Sequence, residues 1–362
     1  MRAGGPHLVR PGLLTAAGPE SMRPDPDGLF FIVGTGRCGT TLLQAMLSCH
    51  PRLYVPPELR YFGRHEPAVR FSDPLRDEHV SAYLSLFRRD VWWEDMGLDA
   101  EAFAEAVRGG VRTSRDIYLW ILGHVAARRG ASKRRCGEKT PYYALMTEHI
   151  AALFPGARFI HLYRDPRDVA ASYLEQYWVR GGTALRVAHY VLYVFRRLEE
   201  AARRLGPERF LAVKYEDLVD HPERELRRVC GFLGEAYDPA MLQFAGREDA
   251  GYLEVEEGWK GSTRQELTRA RVGRYQARLT PRQVWTMERR LESLLPALGY
   301  APTAPERAPL HWHGLLWAER LYRKALLTIG VRQPLLDERT VLSRRNTLVA
   351  ARRKAPAPPP TA

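Results

Sequence analysis

Cysteine is scarce in this sequence, and long apolar runs are missing from it. The chain has 362 residues and four cysteines, which are scattered and show no metal-ligand spacing. Such usage argues against a disulfide framework and fits a reducing cytoplasm, where we expect the protein to be. No stretch of 18 apolar residues occurs, so we expect no membrane-spanning helix.

Lysine is absent from the position where a nucleotide-triphosphatase loop requires it. Four apolar residues at 30–33 predict a buried strand, and a helical apolar pattern begins soon afterwards. The turn between them has Gly34 and Gly39 at the Walker A separation, but Thr40 follows where Walker A has lysine. The cation of this loop is Arg37 instead, which disfavours ATP hydrolysis.

The same loop has the composition of an anion cradle. Small residues let the backbone approach a phosphate closely, and the N–H groups at a helix start point toward it. Thr40 and Thr41 stand where they can cap the helix or donate to phosphate oxygens. A tight strand–helix turn without a ligand explains these residues equally well. Motifs elsewhere in the chain are therefore needed to distinguish an anion-binding loop from such a turn.

Positive charge exceeds negative charge. Lys and Arg number 55 against 42 Asp and Glu, which gives a formal net charge of +13, and arginine greatly outnumbers lysine. This balance favours polyanions, anionic nucleotides or acidic membrane surfaces as partners. A general compositional bias toward Arg, Ala and Pro explains much of the excess equally well.

Strands and helices alternate along the chain. Apolar runs at 158–163 and 210–213 predict two further strands, each followed by a helix. Residues 52–58 are predicted to be extended, and residues 137–141 to be a short polar link ahead of a helix. The alternation predicts an α/β fold with a parallel sheet covered on both faces.

The predicted organisation has four parts. Residues 1–27 form a disordered leader, and residues 28–300 form the α/β domain with a helical insertion at about 77–130. Residues 301–343 form an amphipathic helical extension, and residues 344–362 form a disordered basic and proline-rich tail. The basic helix predicted within this extension, at 311–329, is a candidate for peripheral membrane contact, with core packing as the alternative role.

Cationic and hydroxyl side chains follow the predicted strands. Arg37 follows the first strand, Arg164 the second, and Lys214 and Tyr215 the third. Ligands of such sheets bind at the carboxyl ends of the strands, so we expect these side chains to meet. Arg164 and Ser172 would form a second anion site, unless Arg164 forms a salt bridge with a nearby aspartate. Two anion sites indicate a nucleotide that is phosphorylated at two places.

Four motifs follow one another along the chain, at residues 34–41, 137–141, 164–172 and 214–218. Their residues and order resemble those of PAPS-dependent sulfotransferases, in the bacterial-type branch that resembles tyrosylprotein and carbohydrate sulfotransferases. The similarity spans roughly residues 29–280. It implies a P-loop-like three-layer α/β fold, in which helices flank a central parallel sheet.

The resemblance implies a cofactor site for PAPS. Arg37, Thr40 and Thr41 would contact the 5′-phosphosulfate, Arg164 and Ser172 the 3′-phosphate, and Tyr215 that phosphate or the adenosine. The full set of implied cofactor-binding residues is Gly36, Arg37, Cys38, Gly39, Thr40, Thr41, Arg164, Ser172, Tyr215 and Arg274. The family loop usually has serine where this chain has Cys38, which is either an oxidisable thiol of lowered pKa or a small inert residue.

The resemblance also implies three catalytic residues. Glu58 stands where the tyrosylprotein branch carries its base, Lys139 would lie near the sulfuryl group, and Arg37 would face the leaving oxygen. We therefore predict in-line transfer of a sulfuryl group from PAPS to a hydroxyl or amine acceptor, with Glu58 as general base and PAP as product. Because Lys139 and Arg37 supply positive charge, no metal is required.

Two other functions remain open at this point. One is a P-loop kinase for a small metabolite, which the missing Walker lysine disfavours. The other is a non-enzymatic basic protein that binds nucleic acid or a membrane surface through its arginines. That second alternative leaves the two anion sites without an explanation, so we expect no specific nucleic-acid partner.

Overall fold

A computed structural model of the protein describes residues 24–70, 73–128, 135–176, 183–246, 265–314 and 316–318. Most of the predicted leader, most of the predicted helix at 311–329 and all of the predicted tail lie outside these residues. No helix within the described ranges is both long and apolar enough to cross a lipid bilayer.

Five strands form one sheet at the centre of the fold. They are β1 (Phe30–Val33), β2 (Leu53–Tyr54), β3 (Arg135–Lys139), β4 (Arg158–Tyr163) and β5 (Phe210–Lys214). The order across the sheet is β2-β3-β1-β4-β5, and every neighbouring pair is parallel. The predicted parallel sheet is therefore confirmed, and the loop after β1 starts at the centre of its carboxyl edge.

The strand β3 differs from its prediction as a polar link, and that prediction is wrong. Its sequence lacks an apolar run, yet it lies between β2 and β1, and Glu138 and Lys139 are fully buried. Gly137 lies so close to the ring of Phe30 that a Cβ atom there would come within 2.3 Å of it. The strand forms because other side chains pair with its buried polar groups.

Helices cover both faces of the sheet. The α-helices are α1 (Thr40–Ser48), α2 (Tyr61–Arg64), α3 (Glu66–Arg70), α4 (Asp77–Arg88), α5 (Val91–Asp95), α6 (Ala100–Arg108), α7 (Ser114–Arg128), α8 (Thr147–Leu153), α9 (Pro166–Leu174), α10 (Ala184–Leu205), α11 (Tyr215–Asp220), α12 (Pro222–Leu233), α13 (Tyr275–Arg278), α14 (Pro281–Arg290) and α15 (Leu294–Ala297). Short 3₁₀ helices span Pro141–Leu145, Pro239–Leu242 and Arg269–Arg271.

The buried apolar side chains form two clusters. Successive residues of a strand point to opposite faces of a sheet, and β1 accordingly contributes Phe31 to one cluster and Phe30 to the other. The Phe31 cluster includes side chains of α4, α6, α7 and α10. The Phe30 cluster includes side chains of α1, α11 and α12. A sheet with helices packed on each face confirms the predicted P-loop-like three-layer α/β fold.

Candidate functional site

The loop from Gly34 to Gly39 joins β1 to α1 and is tightly curved. Gly36 and Gly39 have φ of 71° and 99°, a region that glycine adopts without steric cost. A Cβ on Gly36 would lie 2.5 Å from the Tyr173 hydroxyl, and one on Gly39 would lie 2.4 Å from the Tyr215 ring. These glycines let the backbone pass close to both tyrosines, and α1 then begins with N–H groups that no helical carbonyl accepts.

A cavity opens where this loop, the end of β4 and the start of α11 meet. It unites seven of the predicted cofactor-binding residues, namely Arg37, Gly39, Thr40, Thr41, Arg164, Ser172 and Tyr215. The residues that the sequence reasoning missed are Leu42, Gln265, Glu266, Leu267, Thr268 and Arg271. The expected meeting of side chains at the ends of β1, β4 and β5 is observed for Arg37, Arg164 and Tyr215. Lys214, which was expected to join them, lies outside the cavity lining, and its Nζ donates to the Leu298 carbonyl at 3.3 Å.

Three arginines, Arg37, Arg164 and Arg271, line this cavity. Burial lowers the pKa of Arg37, and the nearby Arg271 and Arg164 lower it further. Burial likewise lowers the pKa of Arg271, with Arg274 and Arg164 contributing. Like charges gathered around one cavity disfavour each other, so a bound polyanion would stabilise the arrangement.

Arg164 takes part in the cavity and in a salt bridge at the same time. Its Nη2 lies 3.1 Å from Oδ2 of Asp168, and its Nη1 donates to the Arg37 carbonyl at 3.4 Å. The Arg271 carbonyl accepts a further hydrogen bond from Nη2, and the guanidinium lies 4.8 Å from the centre of the Tyr215 ring. The salt bridge to an aspartate that the sequence left as an alternative is present, and it holds the guanidinium at the cavity rather than away from it.

Arg37 and Ser172 are in direct contact. The Arg37 Nε donates to the Ser172 hydroxyl at 3.1 Å, although the resemblance assigns these residues to different phosphate groups. Arg37 belongs to the loop after β1, whereas Ser172 lies on α9, so this hydrogen bond joins the two predicted anion sites into one continuous surface.

Glu58 and Lys139 form a buried pair beside this cavity. The Lys139 Nζ lies 2.6 Å from Glu58 Oε1, and the guanidinium of Arg60 approaches Glu58 Oε2 at 3.3 Å. Lys139 ends β3, and its backbone is paired with Ile32 of β1, so the pair lies at the same edge of the sheet as the loop. Neither residue lines the cavity. Arg60 was missed by the sequence reasoning, because nothing in its surroundings marks it.

Cys38 points into the protein interior and is fully buried. Burial raises the pKa of its thiol, more than the hydrogen bonds with Thr35 lower it. The thiol is therefore protonated at neutral pH, which favours the interpretation of Cys38 as a small inert residue over an activated thiol. Cys38 and Gly36 were both predicted to bind cofactor, and neither lines the cavity.

Arg274 lies outside the cavity lining, and Arg271 lies within it. The Arg274 Nη2 contacts both carboxylate oxygens of Glu175, at 2.7 and 2.8 Å. The sequence marked a run of arginines here, but spacing alone could not select the one that faces the cavity.

Asp168 fastens the segment that carries these arginines. Its carboxylate accepts from the backbone N–H groups of Gly273, at 2.9 Å, and Tyr275, at 2.8 Å, while it also pairs with Arg164. Burial raises the pKa of Asp168, and Arg164 opposes that change. One carboxylate thus connects an anion-site arginine to residues 271–275.

The described residues hold no group of three or more His, Cys, Asp or Glu side chains arranged to bind a metal ion. Positive charge at the site comes from arginine and lysine side chains of the chain itself.

A model of the sulfotransferase family matches residues 30–239, which is more than half of the chain. The chain therefore belongs to the sulfotransferase family. It is 30% identical to the nodulation protein NoeE of Sinorhizobium fredii (strain NBRC 101917 / NGR234), over 62% of this chain and 54% of that protein. It is 28% identical to a protein-tyrosine sulfotransferase of Drosophila melanogaster, over 59% of this chain and 39% of that protein. The chain thus spans about half the length of these curated relatives or less.

Among solved structures, the sulfotransferase domain from the Synechococcus PCC 7002 olefin synthase is similar to this fold. The TM-score is 0.53 at 26% sequence identity, and the match covers 77% of this chain and 96% of that domain. This likeness agrees with the family assignment and with the three-layer fold described above.

Proposed function

We propose that the protein is a sulfotransferase that moves a sulfuryl group from PAPS to a hydroxyl acceptor. The observation that carries the proposal is the meeting of two features at one edge of the sheet. One is the cavity with three arginines, and the other is the buried Glu58–Lys139 pair. The first suits a nucleotide with more than one anionic group, and the second suits the transfer chemistry.

The cavity residues fit the anionic groups of PAPS. Arg37, Thr40 and Thr41 stand at the helix start, where backbone N–H groups and the helix dipole favour a phosphate. Arg164 and Ser172 would hold the 3′-phosphate, and Arg271 adds a cation that the resemblance did not supply. When bound, PAPS supplies an activated sulfuryl group.

The chain's own residues supply the remaining chemistry. As the acceptor oxygen bonds to sulfur, the acceptor hydroxyl loses its proton, and Glu58 would take it. Bound PAPS would supply the leaving group, since the electron pair of its bond from sulfur to the bridging oxygen would depart with PAP. Lys139 and Arg37 would offset the negative charge that grows on this oxygen.

The two cations around Glu58 suit the role of a base that must be ionised before the reaction. Opposite charges within a few ångströms stabilise a carboxylate in its charged form. Lys139 and Arg60 approach separate oxygens of Glu58, at 2.6 and 3.3 Å. The same attraction weakens the basicity of the carboxylate, so the proton transfer depends on the acceptor replacing part of this pairing.

The proposal extends to the compartment of the enzyme, its metal requirement and its acceptor. We place it in the cytoplasm, because all four cysteines are unpaired and buried, as suits a reducing compartment. We also propose that transfer needs no added metal. The protein-tyrosine sulfotransferase among the relatives is named for a phenolic acceptor, and a hydroxyl acceptor for this chain is consistent with that.

Calorimetric titration with PAP, 5′-AMP and magnesium-ATP tests the proposal. We expect PAP to bind most tightly, because 5′-AMP lacks the 3′-phosphate. The Arg271→Ala variant should lose roughly tenfold or more in PAP affinity, since a charge-assisted hydrogen bond contributes about 1.5–3 kcal/mol. Arg274→Ala is the matched control, because Arg274 pairs with Glu175 outside the cavity, and it should keep its affinity.

Other results would replace the proposal by one of its alternatives. A preference for magnesium-ATP would support the kinase. Salt-sensitive binding of RNA or anionic vesicles that PAP does not affect, together with no binding of any nucleotide, would support the non-enzymatic basic protein.

A further inference from the structure

Glu138 is a fully buried carboxylate to which the transfer chemistry gives no role. Its Oε1 accepts from the Leu59 backbone N–H at 3.2 Å and from the Thr140 hydroxyl at 2.8 Å. Its Oε2 accepts from the Tyr118 hydroxyl at 2.8 Å. Burial raises the pKa of Glu138 to about 7, and the hydrogen bonds of Thr140, Tyr118 and Tyr143 oppose that change. Because burying a carboxylate costs free energy, we expect Glu138 to have a role in the fold.

Two consecutive residues of β3 contact two consecutive residues of the segment before α2. Lys139 pairs with the side chain of Glu58 at 2.6 Å, and Glu138 binds the backbone N–H of Leu59 at 3.2 Å. Side chains of adjacent strand residues point to opposite faces of a sheet. Residues 58 and 59 are therefore contacted from both faces of the sheet, by two neighbouring side chains at the end of β3.

Other side chains hold the same segment through its backbone. The Trp93 Nε1 donates to the Leu59 carbonyl at 3.2 Å. The Tyr142 hydroxyl donates to the Arg60 carbonyl at 3.2 Å. Arg60 itself has φ of 59°, which a non-glycine residue keeps only when its surroundings enforce it. Glu138 differs from Trp93 and Tyr142 because it is covalently adjacent to Lys139, so it fixes Glu58 relative to that lysine.

We propose that Glu138 is a positioning residue, which sets the geometry of the Glu58–Lys139 pair by tying the Leu59 amide to β3. The proposal rests on the sulfotransferase function proposed above, in which Glu58 takes the acceptor proton. A carboxylate suits this task because it offers acceptors to the Leu59, Thr140 and Tyr118 donors at once. Glutamine keeps the Oε1 acceptor, whereas leucine of similar size removes it.

The test compares Glu138→Leu with Glu138→Gln in the full chain. Hydrogen exchange at the Leu59 amide should be at least about tenfold faster in Glu138→Leu and near the wild-type rate in Glu138→Gln. The rate of transfer from PAPS to p-nitrophenol at saturation should fall on the order of a hundredfold in Glu138→Leu and recover in Glu138→Gln, because small misplacements of catalytic groups have effects of this size. PAP affinity should be unchanged in both, since Glu138 does not line the cavity.

Thr140→Val is the matched control, because it removes a donor to the same carboxylate but leaves the Leu59 contact in place. It should resemble the wild type in Leu59 exchange. Unchanged Leu59 exchange in Glu138→Leu, or an unchanged transfer rate with Leu59 loosened, would overturn the proposal.

Glu138→Gln decides the matter if Glu138→Leu does not fold. A protected Leu59 amide with lost transfer in that variant would show that the charge, not the positioning, is needed, and would also overturn the proposal. Amide exchange does not depend on turnover. A wild-type protein that binds no PAP would therefore contradict the sulfotransferase function, whereas the Leu59 result would still decide the positioning contact.

Discussion

Glu58 is the residue on which the proposed chemistry depends most directly. Its side chain is buried and lies between the cations of Lys139 and Arg60. Burial without these partners would disfavour the charged form, whereas cations at both oxygens stabilise it, and the acceptor must replace part of this pairing before Glu58 can take a proton. Lys139 and Arg60 thus both have the same electrostatic role, which is to stabilise the negative charge of Glu58.

Replacing Glu58 by glutamine should separate catalysis from cofactor binding. We expect Glu58→Gln to lower the transfer rate by roughly a hundredfold or more, because general bases typically contribute 10²–10⁴-fold. The PAP affinity should be nearly unchanged, since Glu58 does not line the cavity. Initial rates with PAPS and a phenol acceptor, together with PAP calorimetry, measure the two effects. A variant that keeps near-normal turnover would show that Glu58 is not the base.

At the scale of single elements, the segment 265–275 closes one side of the cavity. Residues 265–268 and Arg271 contribute to the lining, and Asp168 of α9 holds the amides of Gly273 and Tyr275. Because Asp168 also pairs with Arg164, the position of this segment depends on the same guanidinium that faces the cavity. Closure of the segment and ordering of the anion site are therefore coupled.

Breaking this connection should weaken nucleotide binding. Asp168→Asn removes the charge that pairs with Arg164 and one of the two acceptors for the backbone amides. We expect PAP affinity to fall about tenfold and amide exchange in residues 271–275 to become faster. Glu175→Gln, which disturbs the Arg274 pair outside the cavity, serves as the control. Equal affinities of Asp168→Asn and wild type would show that the segment closes independently of Asp168.

The strands and loops also show which elements could be predicted from the sequence and which could not. β1, β4 and β5 contain the apolar runs that predicted them, and the loop after β1 was recognised because glycine spacing is a local signal. β3 was missed because the groups that stabilise it come from far away: Glu58 is 81 positions from Lys139, and Leu59 is 79 positions from Glu138. Arg271 was not selected from its run for a similar reason, since the choice among its arginines is made by contacts with Arg164 and α9.

At the scale of the whole molecule, the two apolar clusters on the sheet also bury titratable groups that affect stability. His161 of β4 is buried, and burial lowers its pKa to about 3. Its ring packs against Phe195 of α10, with a centroid distance of 5.0 Å, and its Nε2 has no hydrogen-bond partner among the described residues. The folded protein therefore keeps this histidine neutral where the unfolded chain would protonate it.

This difference predicts a loss of stability in acid. Because the folded pKa is depressed, the stability that His161 contributes is present above its unfolded pKa of about 6.5 and is lost as the pH falls toward 3. Between about pH 7.5 and pH 5.5 the loss from this group should be about 1 kcal/mol. Glu138, whose pKa is raised to about 7, acts in the opposite direction over the same range.

Comparison of His161→Leu with wild type isolates the histidine, because the contribution of Glu138 cancels in the difference. Urea unfolding at both pH values should show that the free energy of unfolding of His161→Leu falls less on acidification than that of the wild type. Equal pH dependences of the two proteins would contradict the assignment of this effect to His161.

Two arginines near the proposed chemistry adopt a backbone conformation that suits glycine. Arg37 has φ of 54° and Arg60 has φ of 59°, and each such L-residue costs roughly 1–2 kcal/mol. Glycine at Arg37 would relieve this strain and remove a guanidinium from the cavity, where two other arginines crowd it. Arg60 differs, because its guanidinium is buried and pairs with Glu58, so glycine there would leave a buried carboxylate with one partner fewer and lose more stability than the strain costs. A screen for heat-resistant variants would therefore be drawn to Arg37, where it would select proteins that fold better and transfer less, whereas at Arg60 stability and turnover depend on the same side chain.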